Sequence, residues 1–430
     1  MHKDLSNPHY TQWLRFLQRA EFWSSERIRE WQLRKLREVI ALALRTPGYR
    51  TRFAPYFEGL HTFKEPEDLR KLPTITKLDM MSRVEDFTFG YGDYVTTGGT
   101  TGHPFGFYRS WLSFSRELAS KAHQYRRVGW KEGDKQIVFR GLVIKDLIEE
   151  VRDLCELRCS TYHLTEEMIP CYVEAAWRYS PKWLKCYPSA GWLLARHLKN
   201  LNIRFPPLKG ILLASENVYD FQLKEMKEVF DCKIFSHYGH YECAALAGWC
   251  ENTNDYHVLP FYGYVELLRP GRMEPVQESG EIGEIVATSF VMDTTLFVRY
   301  RTGDLAVLKG WYCPQCGRPY QIWSKVEGRA HEFIVTRTGR LISMTCINMH
   351  DDVFDPFWEF QFRQEKPGEV EFCFVPRGKV SEFHLNKAKE ALKRKLGDDV
   401  DLKLVEVDYI ERTRRGKHRF LVQKCEVPLP

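Results

Sequence analysis

The chain has 430 residues, 43% of them hydrophobic, which suffices for a large core and more than one domain and excludes a disordered chain. Its net charge of +6, from 63 Lys and Arg against 57 Asp and Glu, suits a small anionic partner and gives no argument for nucleic acid. No apolar run approaches the ~20 residues that span a bilayer. Residues 1–6 lack the apolar core of a signal peptide and residues 426–430 carry no lipidation box, so a cytoplasmic protein without membrane contact is expected.

Apolar residues recur at helical spacing over residues 9–46: Trp13, Leu14, Phe16 and Leu17, then Ile28, Trp31, Leu36 and Ile40. Pro47-Gly48 breaks that region, and residues 72–77 read as a connector before a helix start. From about 110 to 230, helical patterns alternate with short apolar runs at 136–139, 183–187 and 210–214, which predicts α/β architecture with a largely parallel sheet. Residues 258–268, 283–289 and 296–300 are strand-like and predict a β-rich subdomain. In the last hundred residues, 357–363 and 370–375 read as a hairpin, 381–396 as a basic amphipathic helix and 402–407 as a strand. A domain boundary is expected near Gly328-Arg329. It separates a large domain (1–328, with a helical segment 1–70 and the β-rich part at about 245–328) from a small α+β domain (329–430). Most of the twelve cysteines, such as Cys171, Cys186 and Cys373, lie among apolar residues and read as small buried hydrophobes.

The run Thr96-Thr97-Gly98-Gly99-Thr100-Thr101-Gly102-His103-Pro104 is built to wrap backbone N–H groups and hydroxyls around phosphate. It lacks the Gly-Lys-Ser/Thr of the common P-loop and is not a G-x-G-x-x-G fingerprint. Four further segments follow in order. They are Tyr238-Gly239-His240-Tyr241-Glu242; Gly280-Glu281-Ile282-Gly283-Glu284; Arg299-Tyr300-Arg301-Thr302-Gly303-Asp304-Leu305; and Gly328-Arg329 with the late Arg412-Thr413-Arg414-Arg415-Gly416-Lys417. Singly, each has an ordinary reading: Asp304 as a turn residue, Glu242 as a surface acid, Lys417 as part of a solvated basic face.

As a set they resemble the adenylate-forming superfamily, and within it the phenylacetate–CoA ligase-like branch with its CapK-type proteins, over residues 72–417. The resemblance implies that Thr97, Gly98, Gly99, Thr100, Thr101 and Gly102 hold the triphosphate of ATP. It implies further that Tyr238 stacks on adenine, Glu242 helps hold Mg²⁺, Asp304 binds the ribose hydroxyls, and Arg329 lies at ribose or phosphate. Lys417 then neutralises charge on the α-phosphate. Gly239 and Tyr241 fall in the same nucleotide motif, and Ser215 and Glu216 are candidate contacts. Walls of the acid pocket are expected from 139–141, 187–190 and 214–216, with Arg140 available to a second anionic group. Three positions depart from the family pattern: Phe105 after Pro104, Tyr241 before the motif glutamate, and Ala330-His331-Glu332 at the hinge.

Cys313-Pro314-Gln315-Cys316-Gly317 has the spacing of a zinc knuckle. Cys250 and His257 are the best further ligands, giving a closed and therefore structural Cys₃His zinc site, with Cys243 as the alternative fourth ligand. The rival reading is a reduced pair of surface cysteines.

The expected function is AMP-forming activation of a carboxylic acid, an aromatic one by family weight, with transfer of the acyl group to CoA. The partners are then a small-molecule acid, ATP and CoA, and a homodimer is allowed. The alternatives are an amide ligase or an adenylyltransferase that does not use CoA, and a noncatalytic nucleotide-binding protein.

Overall fold

The computed structural model describes residues 7–96, 105–140, 147–329, 333–347, 352–413 and 416–427, with the backbone alone given for residues 328, 329, 343, 345, 346 and 352. The chain forms two compact units, one of residues 1–133 and 235–326, the other of 134–234 and 327–430.

In the first unit each long helix begins at a polar side chain that satisfies an otherwise orphaned N–H. Asn7 caps Pro8–Ala20, Ser24 caps Ser25–Ala43 and Ser110 caps Trp111–Arg126. Their apolar stripes meet aromatic neighbours: the Phe16 and Trp31 rings stack at 5.5 Å, and Trp31 meets Phe261 edge-on at 5.2 Å. An antiparallel ladder follows in the order Gly263–Leu268, Ile282–Ser289, Tyr300–Gly310, Ile322–Arg329, Tyr256–Val258, Leu246–Trp249 and Lys233–Gly239. A methyl group on Gly263 would sit 2.2 Å from the Ala244 carbonyl oxygen, so only glycine fits there.

The second unit holds the parallel strands Gly210–Ala214, Trp183–Cys186, Gln136–Arg140 and Glu156–Ser160, with Ile148–Val151 antiparallel at the edge. Helices Ile169–Tyr179, Pro188–Leu201 and Asp220–Phe230 accompany them. The C-terminal part is a four-stranded sheet in the order Asp401–Glu406, Glu369–Pro376, Phe357–Lys366 and Leu421–Gln423, with the helix Glu382–Leu396. One aromatic cluster joins it to the helices: Trp192 lies 5.9 Å from Phe360, Tyr219 4.9 Å from Phe420, and Phe354 stacks on Phe360 at 4.2 Å. The buried Arg196 adds donors to the carbonyls of Phe354 (3.2 Å) and Asp355 (2.8 Å).

The α/β class with its β-rich part and small α+β C-terminal module is therefore the observed one. Three local expectations are corrected. Residues 296–298 are apolar but irregular, because Arg299 takes a left-handed φ of 48° and locks into a buried pair with Glu266. The stretch 258–268 divides into two strands. Cys171 is exposed: the buried face of its helix is Ile169, Tyr172, Val173, Ala176 and Tyr179, and Cys171 points the other way. Among the described residues no helix is long and apolar enough to cross a membrane.

Candidate active site and metal centre

The nucleotide motif of the first unit sits where the strand Lys233–Gly239 ends. The hydroxyl of Tyr238 donates to Asp304 Oδ2 at 2.8 Å, and its ring meets Trp323 edge-on at 5.7 Å. Asp304 is buried and follows Gly303, whose φ of 74° turns the chain, while the Asp304 N–H donates to Thr302 Oγ1 at 3.1 Å. Glu242 is buried as well and accepts hydrogen bonds on both oxygens, from His240 Nδ1 at 3.1 Å and from the Tyr300 hydroxyl at 3.3 Å. Since His240 Nε2 accepts the Ala245 N–H at 3.2 Å, the ring proton lies on Nδ1 and points at Glu242. A carboxylate so oriented is a suitable ligand for a hard cation such as Mg²⁺.

Gly239 is exposed at the strand end. Tyr241 is partly exposed, its ring 5.9 Å from Phe107 and covered by the Arg109 guanidinium at 5.2 Å. Phe107 and Arg109 belong to the strand Gly106–Arg109, paired with Asp93–Thr96. The candidate phosphate residues Thr97–Gly102 between these strands lie outside the described residues, as do 330–332. Phe105, one of the departures from the family pattern, is a core residue packed edge-on against Phe297 at 6.4 Å. Arg299, at the head of the fourth motif, is fully buried. It makes two 2.9 Å bonds to Glu266 and reaches the carbonyls of Arg70 (3.2 Å) and Leu72, so it positions the segment that carries Asp304.

Other candidates come together within the second unit. The fully buried strand Gly210–Ala214 delivers Ser215 in a left-handed conformation (φ 74°). The Ser215 carbonyl accepts the Lys417 ammonium at 2.9 Å, and that ammonium also lies 5.9 Å from the Tyr187 ring. Next to it, Glu216 accepts the backbone N–H of Ser189 at 3.0 Å and that of His418 at 2.9 Å. Burial pushes the Glu216 carboxyl up, opposed by the Ser189 donors and by Arg412 and Lys417. Just before Lys417, Gly416 (φ 68°) donates to the Thr413 carbonyl at 2.8 Å, and the Lys417 N–H donates to Thr413 Oγ1 at 3.1 Å. Arg329 ends the strand Ile322–Arg329. Of the expected pocket walls, Phe139 is a core residue packed edge-on to Tyr172 at 5.4 Å.

Two residues of this region escape a reading of the sequence. His418 is buried and donates Nε2–H to the Phe360 carbonyl at 2.9 Å, and Glu359 pairs with Arg412. Burial first, then Arg412, drives His418 well below the usual histidine range, so it is neutral. The only signal in the sequence is a histidine beside the late lysine.

The metal candidates meet in the first unit. Cys250, His257, Cys313 and Cys316 present ligand atoms all within 4.8 Å of one another. The Cys250 and Cys313 sulfurs are 3.9 Å apart, and Cys316 Sγ lies 3.7 Å from His257 Nδ1. Tetrahedral zinc with bonds of ~2.3 Å to sulfur sets sulfurs ~3.8 Å apart, so the four residues fit the ion. Burial lowers His257 to about 4, leaving the neutral ligating imidazole, and pushes the Cys316 thiol up to about 11, a proton that a bound metal would displace. Cys243 is not in this cluster. It lies against the Tyr241 carbonyl, 3.2 Å from its sulfur. Around the knuckle, the buried Arg318 pairs with Glu251 (2.7 Å) and Glu21 (2.5 Å), and Arg127 with Glu251 (2.7 Å).

A family model described as the CapK C-terminal domain matches residues 334–424. Protein CapK of Staphylococcus aureus is 23% identical over 378 residues, covering 84% of this chain and 81% of that one. The phenylacetate-coenzyme A ligase of Pseudomonas putida is 25% identical over 334 residues, 73% of each chain. Among solved structures, 2-hydroxyisobutyryl-CoA ligase in its postadenylation state shares the fold, with a TM-score of 0.76 at 18% identity over 94% of this chain and 91% of that one. The chain is thus similar in sequence to CapK and to phenylacetate-coenzyme A ligases, its C-terminal part matches the CapK C-terminal domain, and it shares the fold of 2-hydroxyisobutyryl-CoA ligase.

Proposed function

We propose that the protein is an AMP-forming carboxylate ligase. A carboxylate oxygen of the acid attacks the α-phosphorus of ATP, the bond to the β-phosphate oxygen breaks, and pyrophosphate leaves. The CoA thiol, losing its proton, then attacks the acyl carbon, a thioester forms, and AMP leaves. The observation that carries this reading is the Lys417 ammonium, brought by a far loop onto the Ser215 carbonyl at 2.9 Å beside Glu216. A cation held in advance of the reaction stabilises charge that develops on the transferring group.

In this reading Tyr238 stacks on adenine, Asp304 takes the ribose diol, Arg329 lies at ribose or phosphate, and Thr97–Gly102 cradle the triphosphate. Ser215, Glu216, Gly239 and Tyr241 complete the nucleotide surroundings. Glu242 would hold Mg²⁺, which supplies charge neutralisation on the phosphates when bound. Cys250, His257, Cys313 and Cys316 would hold a structural zinc. The small domain turns about 329–332 between the two steps and withdraws Lys417, a gating motion of the usual kind. An aromatic acid is the favoured substrate class.

One observation favours a second reading of the acceptor. The similarity to CapK spans 84% of the chain and includes its C-terminal module, more than the 73% shared with the ligase from Pseudomonas putida. An amine would then take the acyl group, or a substrate would take AMP itself.

ATP–pyrophosphate exchange tests both. The acids are phenylacetate, benzoate, 2-hydroxyisobutyrate and sugar acids, each with and without CoA. Exchange with one class of acid and CoA-dependent release of AMP are expected. Exchange without CoA-dependent release of AMP moves the acceptor to the second reading, and no exchange with any acid overturns the ligase assignment.

A further inference from the structure

We infer that Glu216 is a positioning residue for Lys417, a fixed carboxylate post on which the backbone of the lysine loop is held. The inference deepens the proposed adenylation chemistry and rests on it. The helix Pro188–Leu201 has no side-chain cap of its own, since its N-cap residue is Tyr187. Glu216 Oε2 fills that place by accepting the Ser189 N–H at 3.0 Å, an anion at the positive end of a helix. The post is therefore anchored on rigid structure: a buried strand behind it and a helix terminus beside it.

The other oxygen faces the lysine loop and accepts the His418 N–H at 2.9 Å. Two successive residues thus hold two successive residues, Ser215 through its carbonyl on the Lys417 side chain, Glu216 through its carboxylate on the next backbone amide. On the far side Gly416 donates to the Thr413 carbonyl, the His418 ring donates to the Phe360 carbonyl, and Arg412 pairs with Glu359. Backbone held at these points carries the position of the His418 amide to the adjacent Lys417 ammonium. A carboxylate suits the task better than a neutral acceptor, because a charged acceptor makes bonds about twice as strong and also faces the cations Arg412 and Lys417.

The test uses Glu216→Ala and Glu216→Gln in the full chain. Hydrogen exchange of the ligand-free protein is read first. Amides at 417–418 should exchange ~10-fold faster or more in Glu216→Ala, while those at 192–201 keep their protection, which excludes general unfolding. Unchanged exchange at 417–418, or equal loosening of 192–201, overturns the inference. Pyrophosphate exchange with whichever acid of the panel is active is read second. Glu216→Ala should lower it ~30-fold in the wild-type background and less than ~2-fold in a Lys417→Ala background, because a residue that acts through another has no effect once that other is gone. Glu216→Gln should fall between wild type and Glu216→Ala. Equal losses in both backgrounds overturn the positioning role and assign Glu216 a direct role at the nucleotide. If the wild type is active with no acid, the ligase reading fails while hydrogen exchange still decides the Glu216 contact.

Discussion

The metal cluster of the first unit and the lysine loop of the second are each assembled from residues far apart in the chain, but different forces hold them. The cluster takes its ligands from the end of one strand, the middle of the next and a turn between two more, and all three supports are paired in one antiparallel ladder. A chain of charges around the buried Arg318, joining Arg127, Glu251 and Glu21, then ties that ladder to the end of the helix Pro8–Ala20. At the tip of the lysine loop a carbonyl and a carboxylate receive Lys417 and His418. Its aromatic packing lies behind it, at Phe360 and Phe420. One region is built to stay, the other to be placed with care by a few bonds of modest net worth, about 1 kcal/mol for a neutral one.

The comparison breaks most severely if the cluster holds no metal. One zinc per chain is expected by metal analysis of the purified protein. Structural zinc contributes about 10–16 kcal/mol in small zinc-finger peptides, and here the ladder and charge network retain part of the fold without it. Chelation, or Cys313→Ser, should still lower the melting temperature by ~10 °C or more, at ~2–4 °C per kcal/mol for a unit of this size. A metal-free protein that melts like the untreated one would make the four residues an ordinary buried thiol cluster.

Acid should sharpen the comparison from the other side. His197 lies on the helix Pro188–Leu201, stacks on Trp358 at 4.3 Å and has Nε2 on the Leu164 carbonyl at 3.1 Å. Burial lowers it to about 4, with Arg196 and Arg377 acting in the same direction and Glu166 against. A histidine that stays neutral in the fold while the unfolded chain binds a proton stabilises fully above pH ~6.5, and that stabilisation is lost as the pH falls towards 4. The loss amounts to at most about 3 kcal/mol. Glu21 of the first unit behaves oppositely in range: His123 and Arg318 overcome its burial and hold it at about 2, so its contribution persists until the pH falls below about 4.5. Between pH 6.5 and 4.5, hydrogen exchange should therefore rise in the helix Pro188–Leu201, and His197→Gln should flatten that dependence. An unchanged helix over that range would refute the role of His197.

Periodicity and motif order carry most of the fold. The runs at 136–139 and 210–214 become the parallel strands Gln136–Arg140 and Gly210–Ala214, and the basic helix expected over 381–396 is Glu382–Leu396. Local pattern fails where a distant partner decides. Residues 296–299 read as strand, but Glu266 and two carbonyls near residue 70 draw Arg299 into a left-handed turn. In the candidate site, Lys417, Glu242 and Asp304 stand out by motif, and the four metal candidates by chemistry and spacing. Glu359, His418 and the partner of Glu216 do not stand out, because backbone amides carry no residue signal and the contact spans 202 positions. The charge network is hidden for the same reason, since Arg318 and Glu21 lie 297 residues apart.

The smallest expected effect concerns the nucleotide side of the first unit. The Tyr238 hydroxyl donates to Asp304 Oδ2, the carboxylate proposed to take the ribose diol. If the ring stacks on adenine and the hydroxyl merely parks on Asp304, Tyr238→Phe removes a competitor and keeps the stacking surface. The bond lost is worth about 1 kcal/mol or a little more, and ribose hydroxyls replace it, so KM for ATP should move less than ~3-fold. Tyr238→Ala removes the ring as well and should raise KM ~10-fold or more, in line with about 1–3 kcal/mol for a base stacked on an aromatic side chain. Steady-state titration of ATP at saturating acid separates the two. Equal losses in both variants would mean that the hydroxyl, through Asp304, is the working part of Tyr238, and that the aromatic face is packing for Trp323.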